Sequence, residues 1–211
     1  MNNIDYFEKN YKKGYNEYAP DKKLTNYINN ITKYKKGGKL LDIGCAYGNF
    51  LEIAYKNNFD IYGIEPTDAC MNINSTSNIE KSLFFPECIN DEWGTFDVVT
   101  AFDVLEHIPE VEPAMEYINE LLEDNGLFVF IVPVYDGVVG KMVEIIDNDP
   151  THVWKISRYK WVEMASKYFT VVEKIPHMRI PPLLFLKYQF YQMPNSMFRF
   201  SPAIMLICKK K

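Results

Sequence analysis

The sequence predicts an α/β protein with a doubly wound, mostly parallel sheet. Short apolar segments with the character of buried strands alternate along the chain with segments of helical periodicity. In addition, the first predicted strand, residues 39–43, passes through a turn bounded by Gly44 and Gly48 directly into a helix that begins at Asn49. A strand, a tight turn and a helix in that order are typical of parallel sheets covered by helices on both faces.

The first half of the chain contains four of the predicted strands. Before them, apolar residues at positions i, i+3, i+4 and i+7 predict a helix, which Gly37 and Gly38 end; they are Leu24, Tyr27, Ile28 and Ile31. After the helix that begins at Asn49, residues 60–65 form the second predicted strand, and Pro66 forces an extended exit from it. A short helix and loop over 67–78, a third strand over 82–85 and a fourth over 95–102 complete this half.

The second half continues the alternation and then departs from it. Residues 112–123 read as a helix, residues 127–134 as a fifth, continuously apolar strand, and the segment around 161–168 as a further helix. Strands at 170–173 and 203–208 follow, and the last of them is predicted to be antiparallel. Between them we expect an irregular aromatic cap over 176–202, because prolines interrupt it repeatedly; they are Pro176, Pro181, Pro182, Pro194 and Pro202.

Composition excludes several classes of protein. The 211 residues are 47% hydrophobic and 24% charged, which is ordinary for a globular chain, and the formal net charge of −5 argues against a partner held by phosphate contacts. We therefore expect no nucleic-acid partner. No apolar run approaches the length of a membrane span, no signal peptide is present, and the cysteines lack the spacing of a disulfide framework or zinc site. These features predict one cytoplasmic domain over 1–211.

Two motifs indicate a nucleotide-like ligand. The turn from Gly44 to Gly48 lets a ligand approach the backbone and directs the N–H groups of a helix start toward it, although its spacing is not the GxGxxG of dinucleotide enzymes. Glu65 ends the second predicted strand, where a carboxylate can accept hydrogen bonds from both hydroxyls of a ribose. Asp103 follows the fourth strand, at the sheet edge where α/β proteins bind ligands.

Taken in order, these segments resemble the class I methyltransferases, most closely the small-molecule O- and N-methyltransferases that include the ubiquinone-biosynthesis type. The resemblance covers residues 38–175 and rests on four motifs: Leu41-Asp42-Ile43-Gly44-Cys45-Ala46-Tyr47-Gly48, the acidic strand end at Glu65, Phe96-Asp97-Val98-Val99 followed by Asp103-Val104-Leu105-Glu106-His107-Ile108, and Leu121-Leu122 followed by Gly126-Leu127-Phe128-Val129-Phe130.

The resemblance implies a Rossmann-like, seven-stranded sheet that binds S-adenosylmethionine. It places the methionine part of the cofactor against Asp42, Gly44, Cys45, Ala46 and Gly48. Glu65 would hold the ribose, Pro66 would pack near the adenine, and Asp103 and Val104 would lie near the sulfonium. Ala46 stands where many members have a glycine, which is tolerable if its φ is negative. Residues 1–37 would form an N-terminal helical lid, or would simply pack a helix onto the sheet.

The catalytic residues are sought among three histidines. His152 is the first choice for a base, since an imidazole titrates near neutral pH, and relatives carry a substrate-side histidine in this region. His107 would lie near the substrate mouth, or would be a helix-start histidine bonded to backbone; His177 would be peripheral or would line the substrate. We expect no metal, because no clustered carboxylate set is obvious after the fourth strand.

The expected function is therefore methyl transfer to an oxygen or nitrogen of a small-molecule acceptor such as a metabolite, sugar or quinone. The aromatic cap would line a hydrophobic substrate pocket, form a homodimer surface or lie near a membrane. Two other functions stay open: a non-catalytic module that binds S-adenosylmethionine, and a methyltransferase that acts on a macromolecule.

Overall fold

A computed structural model describes residues 21–65, 78–81, 91–180 and 189–211. The remaining positions carry several sequence predictions that therefore lie outside the described residues: the tyrosines of the predicted lid before residue 21, Pro66, all but the last residue of the helix and loop predicted over 67–78, and the strand predicted over 82–85.

The described chain alternates between strands and helices, as the sequence predicts. The helices are α1 (Asp21–Ile31), α2 (Asn49–Lys56), α3 (Val111–Leu121), α4 (Gly137–Ile146) and α5 (Arg158–Tyr168). The strands are β1 (Gly38–Ile43), β2 (Phe59–Glu65), β3 (Asn78–Lys81), β4 (Phe96–Phe102), β5 (Leu122–Pro133), β6 (Phe169–Ile180), β7 (Gln189–Gln192) and β8 (Ala203–Lys210). Short 3₁₀ turns occur at Asp91–Trp93, Leu105–His107 and Asn195–Phe200.

The strands follow the order β3-β2-β1-β4-β5-β8-β6-β7 in a mixed sheet of eight, one more than the seven that we expected. β2 pairs with β1 and with β3 in parallel. β8 pairs antiparallel with β5 and β6, as predicted for the last strand. The pairing of β6 with β7 is also antiparallel, so the sheet contains more antiparallel pairs than we expected.

One predicted segment is wrong. The segment 176–202, which we expected to be irregular, contains the end of β6, the strand β7 and a 3₁₀ turn. Its prolines do not prevent strand pairing, because Pro176 continues β6 with its carbonyl accepting from Met193 N at 2.9 Å. The strand β3 at 78–81 was not predicted, and the strand predicted over 82–85 lies outside the described residues.

The chain divides into two compact units, residues 1–100 and 101–211. In the first unit, α1 packs against α2, and α2 packs against β2. The apolar stripe predicted on α1 is buried at every position, namely Leu24, Tyr27, Ile28 and Ile31. β1 is buried from Leu40 to its end, so its apolar run is that of an interior strand.

In the second unit, α3 packs against β5 and α5, and β8 lies between β5 and β6. Residues 127–133 of β5 and 203–208 of β8 are buried, which explains why both read as continuous apolar segments rather than as alternating ones. Within the described residues, no helix is both long and apolar enough to cross a membrane.

Candidate active site

The turn after β1 has an unusual backbone conformation. Gly44 and Gly48 both have φ of +74°, and Ala46 between them has φ of +47°. The condition under which an alanine is readily tolerated here, a negative φ, is therefore not met. A side chain in this left-handed region costs about 1–2 kcal/mol, which is why a glycine would be the easier residue here.

Hydrogen bonds attach this turn to the end of β2. The N–H groups of Gly44 and Cys45 both donate to the carbonyl of Ile64, at 2.8 and 3.1 Å. The N–H of Ala46 donates to Oε2 of Glu65 at 2.8 Å. β2 can approach so closely because it carries Gly63 opposite the turn: a Cβ there would lie 2.8 Å from Sγ of Cys45. The glycine turn and the strand-end carboxylate therefore lie together, as a ligand that contacts both requires.

Two carboxylates of this unit are buried. Glu65 is 4% exposed, and so is Asp42, whose Oδ1 accepts a 2.6 Å hydrogen bond from Oγ1 of Thr100. Burial raises the pKa of Asp42 to about 7; the hydrogen bond from Thr100 lowers this pKa, and the charge of Glu65 raises it. Thr100 was not predicted, because its partnership with Asp42 crosses from β4 to β1 and leaves no pattern in the sequence.

Of the remaining predicted cofactor residues, Asp103 and Val104 lie at the start of the second unit. Asp103 also has a positive φ, of +59°, and its N–H donates to the carbonyl of Ile131 at 3.0 Å. Its Oδ1 lies 2.5 Å from Nη2 of Arg179, which comes from β6. Sequence reasoning missed Arg179, since nothing in the segment around it marks a site. Val104 is half-buried and precedes the 3₁₀ turn Leu105–His107.

The structure brings together the two histidines that were predicted to be catalytic. The ring centroids of His107 and His152 are 4.7 Å apart. Nδ1 of His107 lies 2.8 Å from Oγ1 of Thr151. Burial, with a smaller contribution from His152, lowers the pKa of His107 to about 4, so its imidazole is neutral at physiological pH.

His152 is oriented by a carboxylate that the sequence did not single out. Its Nδ1 lies 2.8 Å from Oδ2 of Asp147, which also accepts a 2.5 Å hydrogen bond from the hydroxyl of Tyr135. Nζ of Lys155 is 3.3 Å from the same oxygen. Burial raises the pKa of Asp147, but the hydrogen bonds from Tyr135 and His152 outweigh it and hold this pKa at about 2. Asp147 is therefore ionised and favours the tautomer of His152 that carries its proton on Nδ1.

Glu106 completes this group of side chains. It is 1% exposed, and its Oε2 has no hydrogen-bond partner. Ligand atoms of Glu106, His107 and His152 lie within 4.8 Å of one another, which is a spacing that could hold a metal ion. This cluster is not the carboxylate set whose absence led us to expect no metal, because two of its three members are histidines and one of them comes from a distant segment. The third histidine, His177, is fully buried and stacks on Phe190 at 4.9 Å, which is a packing role.

Comparison with known proteins decides the family. A family model described as a methyltransferase domain matches residues 15–174. The chain belongs to this methyltransferase family. It is 26% identical over 113 residues to the ubiquinone biosynthesis O-methyltransferase of Acinetobacter baylyi, covering 50% of this chain and 48% of the relative. The match thus spans about half the length of that curated relative.

Solved structures with the same fold extend over more of the chain. An S-adenosylmethionine-dependent methyltransferase from Thermotoga maritima has a TM-score of 0.66 at 14% identity and covers 99% of each chain. The N-methyltransferase NodS from Bradyrhizobium japonicum, in complex with S-adenosylhomocysteine, has a TM-score of 0.59 at 13% identity and covers 90% of this chain and 86% of its own. The architecture is that of the class I methyltransferases.

Membership of this family makes the chain a methyltransferase domain, and S-adenosylmethionine is the cofactor that its motifs and fold imply. The residues of the first unit fit that cofactor. The turn from Gly44 to Gly48 carries no side chain at its two glycines, and Glu65 provides an anionic acceptor beside it. The cofactor supplies the reactive methyl group, and the protein supplies binding, orientation and electrostatics.

Proposed function

We propose that this methyltransferase transfers the methyl group of S-adenosylmethionine to an oxygen or nitrogen atom of a small-molecule acceptor. The observation that carries the proposal is the hydrogen bond between Nδ1 of His152 and Asp147. A histidine held in one tautomer by a carboxylate presents its other ring nitrogen as a proton acceptor, which an alcohol, phenol or ammonium nucleophile requires.

The proposed roles follow from these contacts. His152 accepts the proton of the acceptor, Asp147 and Tyr135 hold the ring of His152, and His107, which is neutral, binds the acceptor by a hydrogen bond. The turn after β1 and the end of β2 are proposed to bind the cofactor, through Asp42, Gly44, Cys45, Ala46, Gly48 and Glu65. The cofactor roles of Pro66, Asp103 and Val104 rest on the resemblance alone. An oxygen acceptor is supported by the name of the curated relatives, and a nitrogen acceptor by that of the NodS structure.

The test is a search for product. The protein is incubated with S-adenosylmethionine and separate panels of phenols, sugars and amines, and S-adenosylhomocysteine and methylated products are quantified by mass spectrometry. With an acceptor found in this way, His152→Ala should lower kcat by about 10²–10⁴-fold, the usual contribution of a general base. Asn148→Ala, an exposed change in the same loop, is the matched control and should retain activity.

Three results would contradict the proposal. Full turnover by His152→Ala would remove the base assignment. Binding of S-adenosylmethionine without product from any panel would favour a non-catalytic binding module, and product formed only on a protein or RNA would favour a macromolecular acceptor.

A further inference from the structure

The side chains of Glu106, His107 and His152, here called the Glu–His–His cluster, form a ligand set that includes Glu106, to which the proposed methyl transfer assigns no role. We propose that this cluster binds one divalent transition-metal ion such as Zn²⁺. The ligands come from the 3₁₀ turn Leu105–His107 and from the loop between α4 and α5. Their ligand atoms lie within 4.8 Å of one another.

The orientation of both histidines supports this inference. Nδ1 of His107 is paired with Oγ1 of Thr151 at 2.8 Å, and Nδ1 of His152 is paired with Oδ2 of Asp147 at 2.8 Å. Histidines that bind metals almost always have their second ring nitrogen bonded to an oxygen in this way, because the bond fixes the tautomer and the ring orientation. In His107, Nε2 is the nitrogen left for the ion. In His152, Nε2 lies 3.7 Å from Oδ2 of Asp149, which is beyond hydrogen-bond distance, so this nitrogen is also available.

Glu106 supplies an independent observation. Its Oε2 is buried and has no hydrogen-bond partner, although the residue is only 1% exposed. An unpaired buried carboxylate oxygen is costly, and native structures rarely leave one without a reason. A cation beside Oε2 would satisfy it.

Negative charge near the cluster also favours a cation. The carboxylates of Asp103 and Asp147 interact electrostatically with Glu106, and Arg179 offsets part of their charge.

The type of ligand selects the ion. Two imidazoles and one carboxylate suit zinc, manganese or iron, whereas Mg²⁺ and Ca²⁺ prefer oxygen ligands alone. Donor atoms of a tetrahedral zinc site lie about 3.4 Å apart, so modest side-chain rotations close the present spacing. Three protein ligands leave the fourth position open for water or a substrate oxygen, as in catalytic rather than structural zinc sites.

An ion at this position would change the role of His152, and this point alone rests on the proposed function. Nε2 of His152 cannot bind the ion and accept a proton at the same time. In the loaded protein, the ion would lower the pKa of a coordinated hydroxyl group, and the acceptor would then be an alcohol or phenol rather than an amine.

The metal site is tested by binding, without reference to turnover. Untagged protein is treated with a chelator, dialysed and titrated with Co²⁺, whose visible absorption reports its ligands, and with Zn²⁺ by calorimetry. We expect one ion per chain. Glu106→Gln keeps the shape of the side chain and should weaken binding of the ion at least about 100-fold. Asp147→Asn should weaken it about 10–100-fold, since the substitution loosens the ligand His152. Glu112→Gln, an exposed change on α3, should bind as the wild type does.

Further measurements distinguish loss of the metal site from misfolding and from binding of the ion to other side chains. Zn²⁺ should raise the melting temperature of the wild type and of Glu112→Gln but not that of Glu106→Gln, whose circular dichroism should match the wild type. Absence of bound Co²⁺ and Zn²⁺ in the wild type would overturn the proposal. Binding of the ion that is equally tight in Glu106→Gln and His152→Ala would also overturn it. In that case an absorption band of a thiolate–cobalt bond would show that cysteines bind the ion instead.

Discussion

Oε2 of Glu65 accepts a 2.8 Å hydrogen bond from the backbone N–H of Ala46, 19 residues away in the chain. This bond fixes the carboxylate of β2 against the turn that follows β1, so that one ligand can contact both. Because the carboxylate is 4% exposed, its interactions are made in a largely water-free environment, where they are stronger than on the surface.

Glu65→Gln should weaken binding of S-adenosylmethionine and of S-adenosylhomocysteine by about 10–100-fold, since hydrogen bonds to a charged group contribute about 1.5–3 kcal/mol. Calorimetric titration measures the change. Glu52→Gln, an exposed change in the first turn of α2, is the control and should leave the affinity unaltered. NAD should not bind either protein. Equal affinity in Glu65→Gln and wild type would remove Glu65 from the cofactor site.

Ala46→Gly should stabilise the protein by about 0.5–1 kcal/mol. Relief of the left-handed conformation at φ +47° gains about 1–2 kcal/mol, and the greater freedom of glycine in the unfolded chain takes back about 0.4–1 kcal/mol. Urea denaturation measures the free energy of unfolding. Ala54→Gly, within α2, is the opposite case and should destabilise by about 1 kcal/mol or more, because its backbone is helical and its methyl group is buried. Destabilisation of equal size in both variants would show that Ala46 is not strained.

Asp42 should make the stability fall as the pH rises from about 4 to 7. Burial raises its pKa from 3.8 to about 7 in the folded protein, so the folded state binds more protons than the unfolded state across this range. The free energy of unfolding therefore decreases with rising pH, by up to about 4 kcal/mol for this group alone. Asp42→Asn should lack this contribution. Urea denaturation of the wild type and Asp42→Asn at several pH values measures this contribution. If the free energies of unfolding of the two proteins changed in parallel with pH, Asp42 would not contribute.

Arg158 should be the most sensitive structural position in the second unit. It is 1% exposed; its guanidinium pairs with Asp136 at 2.9 Å and donates to the carbonyls of Phe198 and Ser201. Arg158→Met should cost about 3 kcal/mol or more, because it leaves these acceptors without their donor.

Arg158→Lys should restore little of that loss, since an ammonium cannot reproduce the planar set of donors. Arg199→Met, an exposed arginine nearby, serves as the control and should change the free energy of unfolding by less than about 0.5 kcal/mol. A small effect of Arg158→Met would mean that the pair contributes little to stability.

The elements that the sequence predicted well are those with strong local signals. The turn Gly44–Gly48 and the stripe of α1 are fixed by glycine spacing and by apolar periodicity, which act within a few residues. β5 and β8 were found because strands buried on both faces require continuous apolar segments. By contrast, β7 was missed: its pairing with β6 depends on a partner, and the prolines around it suggested an irregular segment.

The candidate site shows the same difference between what local sequence patterns predict and what depends on long-range packing. Motif and order along the chain were sufficient to assign the family and to nominate Glu65, His107 and His152. They could not show that Ala46 has a positive φ, that Asp147 orients His152, or that Glu106 has a buried oxygen without a partner. These facts depend on which distant segments meet and on how much water they exclude. Local patterns in the sequence determine elements and motifs, whereas long-range packing decides side-chain contacts and protonation.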